Sequence, residues 1–269
     1  MTVECGMRKR SKFPVAMTVA GSDSGGGAGI QADLKTFAAL NTHGVSVITS
    51  ITAQNPRGVS AVEPCSTRII TEQLEAVLAF RPTAAKTGML FSAQIIRAAA
   101  KFFRANRRIK LVVDPVMIAT SGARLLRDDA IAALKRELLP LAALVTPNTA
   151  EAEALIGRVI REPEDLRVAA RAMHTEFGCA SLIKGGHLKT GTLAIDVFFD
   201  GETELLLEAP RATGVATHGT GCTYAAAITA HLARGETLSA AVTKAKQLIT
   251  NAIHHSVAAG PFTVLNPFR

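Results

Sequence analysis

A chain of 269 residues that is 48% hydrophobic and 19% charged has enough apolar material for a sizeable core and lacks the charge-rich, apolar-poor signature of disorder, so a single layered domain is expected. Thirty Lys and Arg against 22 Asp and Glu give a net charge of +8, which would concentrate anionic metabolites. With no zinc-finger spacing and no aromatic-rich single-strand motif, nucleic acid is not an expected partner. No window approaches the ~18 apolar residues of a membrane span, and Cys5, Cys65, Cys179 and Cys222, scattered without a CxxC pair, read as free thiols of a reducing cytoplasm.

The basic run Arg8-Lys9-Arg10-Ser11-Lys12 reads as a flexible, solvated tail over residues 1–12, ahead of one domain over 13–269. The stretch after it imitates a secretory leader but is short and contains Pro14 and Thr18, so a first strand over 15–20 explains it better. From there short β-branched runs alternate with segments of helical period, the pattern of β-α units feeding a mainly parallel sheet with helices on both faces. Strands are predicted over 45–53, 85–87, 110–113, 144–146 and 181–184, and helices over 67–80, 93–105, 128–139 and 163–177. Runs over 193–199 and 203–208 flank Asp200-Gly201, a hairpin signal that adds an antiparallel edge. Helices over 223–233 and 237–257 close the chain.

Polar residues follow these strands directly: Gly21-Ser22-Asp23, Gln54-Asn55, Asp114-Pro115, Pro147-Asn148 and Gly185-Gly186-His187. The carboxyl ends of strands line the ligand crevice of an open α/β sheet, so these segments converge on one rim. The run from Gly21 to Asp33 holds five glycines before its helix, open to a tight-turn reading and to a ligand-loop reading. It is not a Walker A loop, because Ile30 and Gln31 stand where Lys and Ser/Thr are needed, and the missing GxGxxG argues against a dinucleotide-dependent oxidoreductase. His218-Gly219-Thr220-Gly221-Cys222 opens a helix whose first N–H groups suit a phosphoryl group. There Cys222 is either an acidified thiol able to take a proton or a small buried hydrophobe. Asn148 with Glu151 forms a capping-box pattern, and Glu151 could also organise Mg²⁺. Asp33 suits a first helical turn and Asp114 a turn before Pro115. Lys184 ends an apolar strand and should point its ammonium into the crevice.

Eight ordered segments sharpen this: Ala20-Gly21-Ser22-Asp23, the run Gly26 to Thr36, Ala53-Gln54-Asn55, Lys86-Thr87-Gly88-Met89-Leu90, Asp114-Pro115-Val116-Met117, Thr146-Pro147-Asn148, Lys184-Gly185-Gly186-His187 and His218 to Cys222. Together they resemble the hydroxymethylpyrimidine/phosphomethylpyrimidine kinases of thiamine biosynthesis, in the ribokinase-like superfamily. The resemblance implies a sheet of about eight or more strands flanked by helices on both faces, without a separate lid domain. It also implies a homodimer and the use of ATP and Mg²⁺. It carries roles over to this chain: Asp33 and Gln54 hydrogen-bond the aminopyrimidine, while Gly21, Ala28, Met89 and Val116 shape its pocket. Cys222 takes the catalytic position, and Gly219, Thr220 and Gly221 form the anion hole. Lys184 neutralises phosphate charge, Asn148, Gly186 and His187 attend the nucleotide, and Glu151 with Asp114 attends the metal. Asp23-Ser24-Gly25 departs from the usual Asp-Pro-Ser, and Gly260-Pro261-Phe262 only partly matches the usual ending. The nearest alternative is a Cys-containing pyridoxal kinase, disfavoured by Gln54 and Met89; a non-catalytic pyrimidine sensor is disfavoured by the presence of Cys222 and Lys184.

Overall fold

The computed structural model describes residues 13–117, 126–186, 188, 191–212 and 218–269; the expected tail over 1–12 and the expected nucleotide contact His187 lie outside them. Nine strands form one sheet in the order β3-β2-β1-β4-β5-β6-β7-β8-β9. They are β1 (Val15–Asp23), β2 (His43–Asn55), β3 (Gly58–Pro64), β4 (Ala84–Thr87), β5 (Lys110–Val113), β6 (Leu144–Val145), β7 (Ala180–Lys184), β8 (Leu193–Phe199) and β9 (Glu204–Pro210). The run from β2 to β7 is parallel throughout, while β3, β8 and β9 pair antiparallel at the two edges. After β1 the chain first builds outward through β2 and β3, then crosses back to place β4 on the other side of β1. That reversal is a topological switch point, where open sheets leave a crevice at the strands' carboxyl ends.

Alternation along the strands sends side chains to two cores. Met17, Val19, Leu111 and Val113 join the layer of α2 (Thr67–Leu78), α3 (Ala93–Ala105) and α6 (Pro163–Phe177). Ala16 and Val112 face α1 (Gly29–Ala39), α7 (Thr220–Ala233) and α8 (Leu238–His254). The buried alanines of α7, among them Ala225, Ala226, Ala227 and Ala230, let its axis lie close to the sheet. Ser92 caps α3 and Thr237 caps α8 by accepting the N–H of Ile95 and Ala240.

Three local features differ from expectation. The helix expected over 128–139 is α4 (Asp128–Ala133) followed by a π-turn at Leu134–Leu138 and a 3₁₀ turn at Leu139–Leu141. Pro140 has no N–H to continue the α ladder, so the hydrogen bonding changes register there. β3 was not expected, because Gly58 and Pro64 bound a short, mostly exposed run whose pairing comes from β2. α8 stops at His254, short of the expected 257, and β10 (Val257–Ala259) and β11 (Phe262–Val264) form a ribbon about Gly260 at φ 59°.

Candidate active site

The crevice at the switch point is a cleft of about 770 Å³. It brings together Gly21, Ala28, Gln54, Met89 and Val116 with Asp114, Asn148, Glu151, Lys184, Gly186, Gly219, Thr220, Gly221 and Cys222. Among the described residues, Asp33 is the expected site residue that does not line it.

Behind the glycine run, the loop's amides serve the protein's own carboxylate. Asp23 Oδ1 accepts the N–H of Gly25 at 2.8 Å, and Oδ2 accepts those of Gly27 at 3.0 Å and Ala28 at 2.8 Å. The loop is thus a tight turn wound on Asp23, contributing Gly21 and Ala28 as walls, and these three N–H groups are not spare for a phosphate. Gly21 leaves room for the Met89 tip: a Cβ there would sit 2.8 Å from Met89 Cε and displace it. Burial opposes ionisation of Asp23, but the His218 ring and the Gly25 and Ala28 amides prevail and hold its carboxyl below the ordinary 3.8. A depressed folded pKa contributes stability that is complete above pH 3.8 and is lost as pH falls through the folded value. Asp23→Asn turns one acceptor oxygen into a donor facing N–H groups, a cost of about 1–3 kcal/mol. Thermal melting at pH 7 should therefore be lower for the variant, with the gap closing in acid below about pH 4. Identical melting at pH 7 excludes this role.

At the phosphate end, α7 begins on Gly219, whose φ of 82° suits glycine and whose Cβ, if present, would collide with the Gly27 carbonyl. The glycine run and the α7 loop are therefore in direct backbone contact. Lys184 does turn into the cleft: Nζ lies 3.0 Å from Asp114 Oδ1 and 3.1 Å from where a Gly221 Cβ would stand. Burial works against its charge, yet Asp114 and Glu151 outweigh that and raise its pKa, so it is a fixed ammonium. Both readings of the Asn148 segment meet in one place. Asn148 Oδ1 accepts the Glu151 N–H and Glu151 Oε2 accepts the Asn148 N–H, each at 2.9 Å, while Glu151 still lines the cleft. Glu151 Oε1 also accepts the Met117 N–H at 3.1 Å, next to Val116 at φ 43°, a costly conformation for a β-branched residue. The capping carboxylate thereby braces the pocket wall.

No group of three metal-ligating side chains occurs among the described residues. The donors present fit a hard cation that keeps its waters and takes phosphate oxygens: two neighbouring carboxylates, with one Asp114 oxygen engaged by Lys184 and Thr146.

Two expectations are corrected. Asp33 is fully buried, with Lys86 Nζ at 2.8 and 3.0 Å from its two oxygens and the Thr18 hydroxyl donating at 2.6 Å. Its acceptors are engaged by Lys86 and Thr18, and it does not line the cleft. Of the two readings of Cys222 the acidified one is corrected: its thiol is pushed up by burial, to which the Asp33 and Asp114 carboxylates add, against the opposing pull of Lys86 and the Gly29 N–H. It rests as a protonated thiol.

Sequence reasoning missed Lys86 as a site residue, although it lay inside a quoted motif. The available signal was a Lys within a strand whose residues are otherwise small and buried, since such a charge requires a buried counterion. It lines the cleft fully buried, kept charged because Asp33 more than offsets its desolvation. Also missed was the far end of the cleft, an apolar strip of Ala194, Ala209, Pro210, Ile249 and Ile253 beside the Lys246–Asp196 pair at 2.7 Å. No motif marks it, because its residues come from an edge hairpin and the last long helix.

Known proteins resemble this chain along most of its length. A profile of the phosphomethylpyrimidine kinase family matches residues 23–265. The hydroxymethylpyrimidine/phosphomethylpyrimidine kinase of Rhizobium meliloti is 53% identical over 242 residues, 89% of this chain and 90% of that protein. A thiamine biosynthesis bifunctional protein of Geobacter sulfurreducens is 49% identical over 248 residues, 91% of this chain, which spans 50% of that longer protein. The solved pyridoxal kinase of Staphylococcus aureus in complex with AMP-PCP and pyridoxal superposes with a TM-score of 0.87 at 34% identity, covering 96% of this chain and 94% of that one.

Proposed function

This chain belongs to the phosphomethylpyrimidine kinase family and is a kinase, and we propose that it moves the γ-phosphate of ATP to the hydroxymethyl oxygen of 4-amino-5-hydroxymethyl-2-methylpyrimidine and then to the phosphate of the product. The observation that carries this is the continuity of one cleft. A pocket walled by Gly21, Ala28, Met89 and Val116, with the Gln54 amide as its polar group, runs into Lys184, Cys222 and the α7 N-terminus, and on to an apolar strip wide enough in chemistry for a purine. Acceptor, transferring group and nucleotide then lie in line.

In this reading the first-turn amides of α7 and the Lys184 ammonium hold the charge of the moving phosphoryl group. Mg²⁺, held by Asp114 and Glu151 through water and by the nucleotide phosphates, would add charge neutralisation there. Cys222 orients the acceptor hydroxyl. A resting thiolate is not needed, because in a loose phosphoryl-transfer transition state the acceptor oxygen gains little bond order before the leaving group departs. A homodimer belongs to the same proposal. A cytoplasmic location is supported by the free thiols Cys65, Cys179 and Cys222. Among the described residues no helix is long and apolar enough to cross a membrane.

The test is ADP release by purified protein with Mg²⁺-ATP on the hydroxymethylpyrimidine, its monophosphate and pyridoxal in separate reactions. Turnover on both pyrimidines is expected; turnover on pyridoxal alone would reassign the acceptor. Cys222→Ala should lower kcat on the alcohol about 10²-fold through lost positioning, and lower it less on the monophosphate, whose acceptor oxygen is already ionised. Undiminished turnover on the alcohol removes Cys222 from the mechanism.

A further inference from the structure

His218 stands between the two loops of the site. Its ring lies against the glycine run, with Cδ2 2.8 Å from where a Gly27 Cβ would be. Its Nε2 is 3.3 Å from Asp23 Oδ2 and 3.5 Å from the Gln54 amide atom placed as Nε2, with the atom placed as Oε1 toward Thr52, and hydrogen counting reverses that assignment. Counting hydrogens settles what these contacts are. The Asp23 carboxylate only accepts, so His218 Nε2 carries the hydrogen. An amide nitrogen of Gln54 facing that Nε2–H would set donor against donor, whereas the Gln54 oxygen there can share the one Nε2 hydrogen with Asp23. Thr52 leads to the same orientation. Its hydroxyl lies 2.9 Å from the Ser22 carbonyl and 3.2 Å from the Gln54 amide, and it has one hydrogen to give. With that hydrogen on Ser22, Thr52 Oγ1 receives an N–H, so the Gln54 nitrogen faces Thr52.

Resting on the pyrimidine reading of the pocket, we propose that His218 is a positioning residue for substrate specificity, fixing through the Asp23–His218 pair which way the Gln54 amide faces. Held so, Gln54 keeps one N–H and one oxygen lone pair to offer side by side. A side-chain amide used in this way pairs with a ring nitrogen next to an exocyclic amine, as Gln and Asn do on the edge of adenine. Pyridoxal carries an aldehyde, which only accepts, in the place of the amine beside the hydroxymethyl group, and so leaves the Gln54 oxygen unpaired.

The test is a steady-state cycle of His218→Leu, His218→Gln, Gln54→Ala and His218→Leu/Gln54→Ala, with thermal melting of each variant. His218→Leu should raise KM for the hydroxymethylpyrimidine about tenfold, with kcat and the KM for ATP within about twofold, and the preference over pyridoxal should fall by a similar factor. His218→Gln, whose amide nitrogen reaches the place of Nε2, should restore most of the preference. On the Gln54→Ala background, His218→Leu should change the pyrimidine KM no further. If His218→Leu does not fold, His218→Asn, too short to reach, takes its place in the cycle. Additive effects of the two changes overturn the proposal, as does a fall in kcat or a rise in the KM for ATP with the pyrimidine KM unmoved. Wild-type protein that turns over no pyrimidine rejects the substrate reading and this assignment together, whereas an active wild type with an additive cycle rejects the role of His218 alone.

Discussion

Lys86→Met is expected to lower the melting temperature by about 6–20 °C, since removing one partner of a buried pair costs about 3–5 kcal/mol and each kcal/mol is worth about 2–4 °C in a domain of this size. The reason is geometric. Asp33 and Lys86 are both fully buried, 53 residues apart in sequence and 2.8 Å apart in space, and without the ammonium the carboxylate keeps, among the described residues, the Thr18 hydroxyl. The companion variant Lys86→Met/Asp33→Leu removes both charges and should recover most of the lost stability, because paired apolar replacements of buried ions are close to neutral. Differential scanning calorimetry of the single and double variants decides the matter. A single variant that melts like the wild type shows that Asp33 finds water or another proton donor, and a double variant no better than the single shows that the loss lies elsewhere.

The second large effect is kinetic: Lys184→Met should reduce kcat about 10²–10³-fold while the pyrimidine KM stays nearly constant, the signature of charge stabilisation made in the transition state. Lys184 is fixed for that task by Asp114 at 3.0 Å and by the nearby Glu151 carboxylate, which raise its pKa despite burial. A flexible surface lysine would lose rotamer entropy on meeting a phosphate; this one is already in place. Initial rates across ATP and pyrimidine concentrations separate the possibilities. A raised KM for ATP with kcat intact would mean that Lys184 only binds the nucleotide, equally in ground and transition states.

The parts of the site that were legible in the sequence are those whose cause is local. The Asp200-Gly201 turn appears as the β8–β9 hairpin, with Asp200 Oδ1 accepting the Glu202 and Thr203 N–H groups. Asn148 and Glu151 close the capping box that their spacing announces, and Lys184 points where the end of a strand must point. The rim itself followed from the alternation of strands and helices, because a parallel sheet sends every carboxyl end to the same side.

What escaped the sequence depends on which distant segments come to share a space. Asp33 at a helix start reads equally well as a dipole partner or a ligand contact, and only the packing of α1 on β1, the strand beside β4, hands it to Lys86. The five-glycine run promises free amides until Asp23 folds back onto them. Cys222 sits at a helix N-terminus that favours a thiolate, yet burial and the Asp33 and Asp114 carboxylates push its thiol up. The sequence by itself determined the layered α/β fold, the rim and the residue types available there, since periodicity and turn chemistry act over a few residues. Only the tertiary structure decided which carboxylate serves which cation and which side chains His218 meets, because burial and Coulomb interactions depend on distances that no local pattern encodes.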